Sequence, residues 1–528
     1  MTTKNSEVFL KGTMILAISG MVVKIIGSLN WVFLSRILGG EGIGLYQMGF
    51  PIYLMALTLS SAGIPVAISI LTSEKIAQKD YTGARRVFTI SRTLLFCTGL
   101  FFMLIMLFGA KLLVEYQFIR DARAYWSIIA LSPAVFLVTF MSSMRGYLQG
   151  WQKMQPTAAS EIIEQLFRVA TMIYFAWLFL PHGLEYGAAG ASMGAAVGAL
   201  MALLLLAFCV KRLNKICSHK FMESASFPQE SNHSIIKRIF SLAIPISMSS
   251  LMLPVVANLD MMIVPMRLEV AGFDIHKATE LFGYLTGMAI PLTNLATLLT
   301  AALAIALVPA ISESRAKQET ETVSDKTGTA FRIATAITIP SAAAIYIMAE
   351  PIASIVYNSP QAAAVIKASS PAIFFLGLHQ VSTGVLQGLG MTKIPVISMV
   401  IAACLKVALN WQLVAVPELG ITGAAYATIA DISVAALINM VFIWKYTKYL
   451  LSVKTLTKII VSAALMVAAI NAALLSSQYI GAWSLLLAVI AGTAVYIPIV
   501  LVTGGLPGKD ACQVPILGSI YQKIMKIR

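Results

Sequence analysis

Charge is what this sequence has least of. Only 12% of its 528 residues are charged, and 23 acidic residues stand against 38 basic ones. With 58% hydrophobic residues and a mean hydropathy of +0.84, the three or four soluble domains that length alone suggests are excluded. Cysteine is sparse: Cys97, Cys209, Cys217, Cys404 and Cys512 are scattered, with no CxxC and no histidine at ligand spacing, so neither a disulfide scaffold nor a zinc site is expected. They read as small packing residues and reduced thiols. The short apolar/polar alternation of barrel strands is missing as well. The tail from Gly504 to Asp510 superficially suggests a phosphate loop, but it fails the spacing and lacks the final Ser or Thr, which excludes ATP-driven transport by this chain. No loop is long enough for a nucleotide-sugar domain, which argues against a glycosyltransferase. No cofactor is expected.

What is present is a succession of apolar runs of 20 residues or more, each long enough to cross roughly 30 Å of hydrocarbon as a helix. The fold class expected is all-α, a polytopic membrane protein with about fourteen spans, near 12–36, 44–71, 87–113, 124–148, 158–180, 187–210, 236–266, 281–309, 330–357, 364–388, 395–416, 421–444, 457–476 and 482–503. The first twelve contain an internal repeat. Ser132-Pro133-Ala134-Val135-Phe136 and Gly146-Tyr147-Leu148-Gln149-Gly150 return, 238 residues later, as Ser370-Pro371-Ala372-Ile373-Phe374 and Gly384-Val385-Leu386-Gln387-Gly388. A second echo pairs Ile64-Pro65-Val66-Ala67-Ile68-Ser69 with Val308-Pro309-Ala310-Ile311-Ser312. Six spans per half keep both halves in one orientation, so the repeat is parallel. The expected domains are a six-helix lobe over 1–225, a second over 226–450, and two further helices with a tail over 451–528. The polar stretch 211–232, holding Cys217, Ser224, Ser226, Pro228 and Ser231, is the expected linker.

With the N-terminus inside, 28 of the 38 basic residues are assigned to the cytoplasmic side, which places both termini and the 211–235 loop in the cytoplasm. Arg36, Lys111, Arg120, Arg123, Arg267, Lys277 and Lys367 fall outside; Lys24, Arg168 and Lys406 fall within spans. No cleavable signal peptide is expected, because the first apolar run is too long and lacks a small-residue cleavage site. The net charge of +15 reports this topology and contact with anionic lipid, through clusters such as Arg85-Arg86 and Lys237-Arg238, rather than nucleic-acid binding.

Polar groups inside spans carry the chemistry, since each ionised side chain near mid-membrane costs roughly 2.5–3.5 kcal/mol on insertion scales. In span one, Gly20, Lys24, Gly27, Ser28 and Trp31 share a face, with Asn30 beside it and Arg36 at the outer end. The lysine is expected to face a cavity or a partner. In span five, Glu161, Glu164, Gln165 and Arg168 lie at helical spacing, and Glu164 with Arg168 reads equally as a structural clasp or a site. In span seven, Asp260 precedes Arg267 by seven residues, near Pro245, Pro254 and Asn258. A broken helix with an acid suits an ion-coupling or gating site, or else a salt bridge to Lys24 or Arg267. Asp431 in span twelve, and Lys406 with Asn410 in span eleven, are further buried polar groups that read as a pairing between lobes, with Asp431 also a coupling or gating candidate. Gly190, Gly194 and Gly198 form two GxxxG steps for helix packing.

Several blocks carry a family resemblance: Lys24, Gly27, Asn30 and Arg36 followed by Glu41-Gly42-Ile43-Gly44-Leu45-Tyr46; Arg145-Gly146-Tyr147-Leu148-Gln149-Gly150; Glu164-Gln165-Leu166-Phe167-Arg168; Leu285 to Pro291; and Val308 to Glu313. Together they resemble the stage V sporulation protein B branch of the polysaccharide-exporter family, within the superfamily of multidrug, oligosaccharidyl-lipid and polysaccharide exporters that includes the lipid II flippases. The resemblance implies a two-lobed helical bundle in the bacterial plasma membrane that moves undecaprenyl-pyrophosphate-linked sugars, and a groove for the lipid tail on spans thirteen and fourteen. One departure is Trp31, where relatives often carry a second arginine. A flippase of this kind needs cations for the diphosphate; Lys24, Asn30, Arg36, Arg168 and Arg267 are the expected substrate contacts, and Asp260, Glu164 and Asp431 the expected coupling or gating groups. The partners expected are a lipid-linked oligosaccharide and membrane lipids, with the protein acting as a monomer. An H⁺ or Na⁺ gradient or the membrane potential is the expected energy source. A drug/cation antiporter of the same superfamily competes with this reading, but would favour an acidic, aromatic-lined cavity, whereas span one is basic and contains no acid; a non-transporting scaffold would gain nothing from buried charge.

Overall fold

The computed structural model describes residues 2–61, 63–219, 230–449, 452–476, 481 and 483–512. Ser224, Ser226 and Pro228 of the expected linker, and the tail beyond Cys512, lie outside the described residues. The described chain is helical throughout, with no strand. Eleven helices are long and apolar enough to cross a membrane, or up to thirteen if two bent pairs each count as one span. By that measure fourteen is not reached. The first two expected spans run together as one element, α1 (Thr2–Ser61), whose 60 residues would extend about 90 Å, three times the hydrocarbon thickness. Its break is at Gly39, where φ 65° and ψ −173° are open to glycine and closed to other residues.

Two compact units emerge from the packing: described residues up to Met266 together with Ile275–Gly283, and Arg267–Asp274 together with those from Tyr284 onward. The expected boundary at 225/226 follows the sequence repeat, whereas this division follows packing, and it assigns α7 (Asn232–Ser250) and most of α8 (Met252–Val270) to the first unit. α7 and α8 are the expected span seven, bent by 47° at Leu251.

In the first unit, α2 (Ile64–Ala77), α3 (Tyr81–Glu115), α4 (Tyr125–Gly150), α5 (Met154–Phe179) and α6 (Leu184–Ile216) follow α1, and α9 (Ile275–Gly283) packs against α1. α4 is central, touching α1, α2, α3 and α6. One buried cluster gathers Ile68, Leu71, Phe88, Tyr147 and Leu206; another gathers Leu34, Leu38, Tyr46, Met172 and Ala176. The GxxxG steps pack as expected. A Cβ on Gly190, Gly194 or Gly198 would lie 2.5 Å from Phe175 O, 2.4 Å from Met172 Cγ and 2.5 Å from Glu164 O. The α6 backbone therefore presses on the stretch of α5 that carries its charges.

The second unit contains α10 (Ile290–Ala296), α11 (Leu298–Ala316), α12 (Thr320–Ile347), α13 (Ala363–Ser369), α14 (Ala372–Gly388), α15 (Lys393–Leu413), α16 (Ile421–Thr447), α17 (Val453–Ser476), α18 (Trp483–Val502) and the short α19 (Gly508–Ala511). α17 and α18 share a buried cluster with α12, where Tyr496 Oη donates to Ala336 O at 2.7 Å.

The repeat has a packing cause. A Cβ on Gly146 would meet Pro65 O at 2.5 Å, and one on Gly384 would meet Ala304 O at 2.5 Å; Gly150 faces Ser69 and Thr72, and Gly388 faces Val308 and Ile311. In each unit the repeated glycines let the fourth helix of the repeat approach the second. This register equates Pro65 with Ala304 and Ser69 with Val308, so the Pro65/Pro309 echo is five residues out of step with the helix packing. Of the cysteines, only Cys217 is buried; Cys97 and Cys404 are exposed, so the expected packing role does not hold for those two.

Candidate functional site

The polar residues expected in span five, with Asn30 of span one, lie within the first unit on the seam between α1 and α5, with α4 behind it. Glu164 accepts from Arg145 Nη2 of α4 at 2.8 Å and from Arg168 Nη2, one helical turn away on α5. Arg145 also donates from Nε to Ser160 Oγ at 3.1 Å. The three charged side chains are 12–19% exposed. Two guanidinium groups on one carboxylate leave one positive charge in excess, and the buried Nε of Arg168 has no hydrogen-bond partner among the described residues. At a separation of about 4 Å such a charge acts on an anion with several kcal/mol at an effective dielectric of 20, and guanidinium is the donor suited to phosphate oxygens. The Glu164–Arg168 clasp read from the spacing is therefore present, enlarged by a second arginine.

On either side, Ser19 Oγ donates to Glu161 Oε2 at 3.1 Å. A Cβ on Gly27 would come within 3.1 Å of Gln165 Nε2, so glycine there lets α1 close onto α5. Asn30 is buried, donates to Met172 Sδ at 3.7 Å, and leaves its buried Oδ1 without a partner among the described residues. Trp31 stands edge-on to Tyr46 at 5.8 Å, and Tyr46 continues into a stack with Phe50 and Tyr53. It is held in aromatic packing. Lys24 is exposed on α1, and its ammonium has no hydrogen bond or ion pair among the described residues; Arg36 is exposed as well.

Other expected groups stand apart from this seam. Arg267 belongs to the second unit, where Nε donates to Trp411 O at 2.8 Å and the guanidinium lies 4.6 Å from the Trp411 ring centre. Asp260 is half-buried on α8 in the first unit, two residues after Asn258, whose amide donates to Pro51 O and Pro254 O at 2.8 and 2.7 Å. Asp431 on α16 is half-buried, and Lys406 and Asn410 on α15 are buried, all in the second unit. The basic clusters expected to meet lipid are partly engaged by protein: Arg238 pairs with Glu74 and Glu230, and Arg86 donates to Asn232.

A second polar cluster of the first unit was not anticipated. Asp121 accepts from Arg123 Nη2 at 2.7 Å and from Thr279 Oγ1 at 2.9 Å, while Glu41 accepts from Arg123 and contacts His276 Nδ1 at 2.8 Å. Burial opposes ionisation of Asp121, but the hydrogen bonds from Arg123 and Thr279 and the charge of Arg123 outweigh it, and its pKa is held below the ordinary value. This cluster fastens α9 to α1.

The comparisons with known proteins decide the lineage. The family model described as polysaccharide biosynthesis protein matches residues 9–315, more than half of the chain, and that of MatE matches residues 285–412. The chain belongs to the polysaccharide biosynthesis protein family. Among its relatives, stage V sporulation protein B of Bacillus subtilis (strain 168) is 32% identical over 450 residues, 85% of this chain and 86% of that one. The lipid II flippase MurJ of the same organism is 24% identical over 483 residues, 88% of each. A solved structure of lipid II flippase MurJ in an inward closed conformation matches with a TM-score of 0.68 at 17% identity, covering 92% of this chain and 98% of that one. The expected membership of the multidrug, oligosaccharidyl-lipid and polysaccharide exporter superfamily, and its polytopic helical fold, is thereby established.

Arg145 opens the block Arg145-Gly146-Tyr147-Leu148-Gln149-Gly150 but is not among the site residues that the sequence singles out, because no helical spacing ties it to Glu164. A signal was available in the repeat. At the offset of 238, Arg145 corresponds to Thr383 and Glu164 to Ala402, whereas Arg168 corresponds to Lys406. Arg145 and Glu164, two charges that break the repeat, meet in the structure.

Proposed function

We propose that this protein is a flippase that moves an undecaprenyl-pyrophosphate-linked saccharide across the bacterial plasma membrane by alternating access. It acts as a secondary transporter rather than an enzyme, as a monomer, with both termini cytoplasmic. The observation that carries this reading is the excess positive charge of the Arg145–Glu164–Arg168 cluster. A diphosphate will not enter hydrocarbon unaided, and a surplus guanidinium with an unused donor offsets part of its desolvation. The exposed Lys24 ammonium on α1, without a partner among the described residues, and the buried Asn30 beside the seam extend the polar path; Arg36 and Arg267 serve as entry or exit contacts. Asp260 and Asp431 are the groups for coupling to H⁺, Na⁺ or the membrane potential, and Glu164 the group for gating. The names of the two relatives, a sporulation protein and a lipid II flippase, support a cell-wall precursor as cargo.

The competing reading is an ion-coupled drug exporter, favoured by the MatE match over residues 285–412. A cationic drug, however, would be repelled by a cluster whose net charge is positive. Purified protein in proteoliposomes containing a fluorescent undecaprenyl-diphosphate sugar separates the two. The flippase moves the label between leaflets, and a cationic dye does not compete. Transport of the dye without movement of the lipid would overturn the reading.

A further inference from the structure

At the turn between α4 and α5 the first unit carries an open cavity of about 560 Å³, within the size range of small-molecule sites. Its walls differ sharply in chemistry. Leu148, Leu213 and Ile216 form an apolar side, while Lys153 and Arg212 bring two cations, with Gln152 and Gln155 beside them. Both basic side chains are exposed, and neither has a hydrogen bond or ion pair among the described residues. In this they differ from Arg86 and Arg238, which the protein itself engages.

The approach to the cavity is apolar. Leu200, Leu204 and Phe208 form an exposed i, i+4 row along α6, at 43, 56 and 63% exposure, and the next residue of that row is Arg212. Large apolar side chains exposed along a membrane-spanning helix face acyl chains, so the row leads from hydrocarbon to two exposed cations. With the proposed topology this end lies at the cytoplasmic leaflet, whose lipids are anionic.

We propose that this cavity binds the phosphate headgroup of an anionic membrane phospholipid, with Arg212 and Lys153 on the phosphate and an acyl chain along the Leu200–Leu204–Phe208 row. The site is distinct from the α1/α5 seam and does not rest on the flippase reading.

The test uses the full-length protein, delipidated in detergent and offered phosphatidylglycerol or phosphatidylcholine, with retained lipid counted by native mass spectrometry. Wild type retains phosphatidylglycerol preferentially. Lys153→Gln with Arg212→Gln weakens its retention about tenfold or more, the effect of losing charge-assisted hydrogen bonds. Lys153→Arg with Arg212→Lys keeps it. Lys211→Gln with Lys215→Gln removes the same amount of charge from the α6 end beside Arg212 but outside the cavity lining, and also keeps it. Equal retention by the Lys153/Arg212 glutamine variant and wild type would overturn the site. Equal loss in the Lys211/Lys215 variant would reduce it to a diffuse basic surface. Displacement of the lipid by millimolar inorganic phosphate alone would make it a site for free phosphate and overturn the lipid assignment.

Discussion

The charge sum of the α4/α5 cluster can be changed one unit at a time. Wild type carries two arginines and one glutamate, a net of +1. Arg145→Gln brings the sum to zero, Glu164→Gln raises it to +2, and the double variant returns it to +1 with Arg168 alone. Stability and transport then respond differently. Glu164→Gln leaves two partly buried guanidinium groups without their counter-charge, and breaking a buried pair costs about 3–5 kcal/mol; the residual exposure of these side chains puts the expected loss near the bottom of that range. Arg145→Gln costs about 1–3 kcal/mol, since Glu164 keeps Arg168. The double variant should be less destabilised than the sum of the singles by about 1 kcal/mol or more, because the two residues are in contact. Transport should follow the charge sum: lost in Arg145→Gln, restored in large part in the double variant. Thermal unfolding of purified protein and lipid flipping in proteoliposomes read the two quantities separately. Full transport by Arg145→Gln would refute the role of the surplus charge. A folded double variant as inactive as Arg145→Gln would show that the guanidinium itself, and not the charge sum, is required.

Lys24→Ala should abolish flipping while leaving the melting temperature near that of wild type, since the ammonium has no protein partner among the described residues, and Lys24→Arg should retain part of the activity; full complementation of a deletion by Lys24→Ala would make the lysine a packing group. Asp260→Asn should impair net transport but leave substrate retention intact if it couples an ion; if it is instead a structural bridge, it should lower the melting temperature, and neutralising its basic partner should restore it. Exposed Cys512 should resist impermeant thiol reagents in intact cells, and labelling from outside would overturn the cytoplasmic tail. Asp121, whose pKa is lowered on folding, contributes stability above its unfolded pKa and loses it as the pH falls through the lower folded value. The stability gap between wild type and Asp121→Asn should therefore be constant above about pH 5 and shrink below 3.8; a gap unchanged at pH 2 would remove the carboxylate from the clamp on α9.

The helical membrane fold was legible because hydropathy is a sum over twenty residues and tolerates errors in any one of them. Helix packing at Gly190, Gly194 and Gly198 was legible for a related reason: a small residue every fourth position has one dominant use in a span. Span limits were harder to read. Hydropathy drops at Gly39-Gly40-Glu41-Gly42 as it would at a loop, yet helical geometry resumes immediately past one glycine at positive φ, so two expected spans form one element.

The site was half legible. Spacing along α5 fixes the Glu164–Arg168 contact, because residues four apart on a helix must be neighbours. No spacing rule reaches from α4 to α5, so Arg145 could be found only through another signal. The repeat supplies it. A duplicated chain begins with the same residue at both copies of a position, and packing positions stay alike, as Gly146 and Gly384 do against Pro65 and Ala304. A charge kept in one copy and absent from the other is not needed by the shared architecture. Arg145 against Thr383 and Glu164 against Ala402 meet that condition, while Arg168 against Lys406 preserves a cation in both halves. The cation on the fifth helix of the repeat is thus common to the two units, and the acid with its second arginine is an addition to the first, where α6 glycines already hold the α5 backbone close.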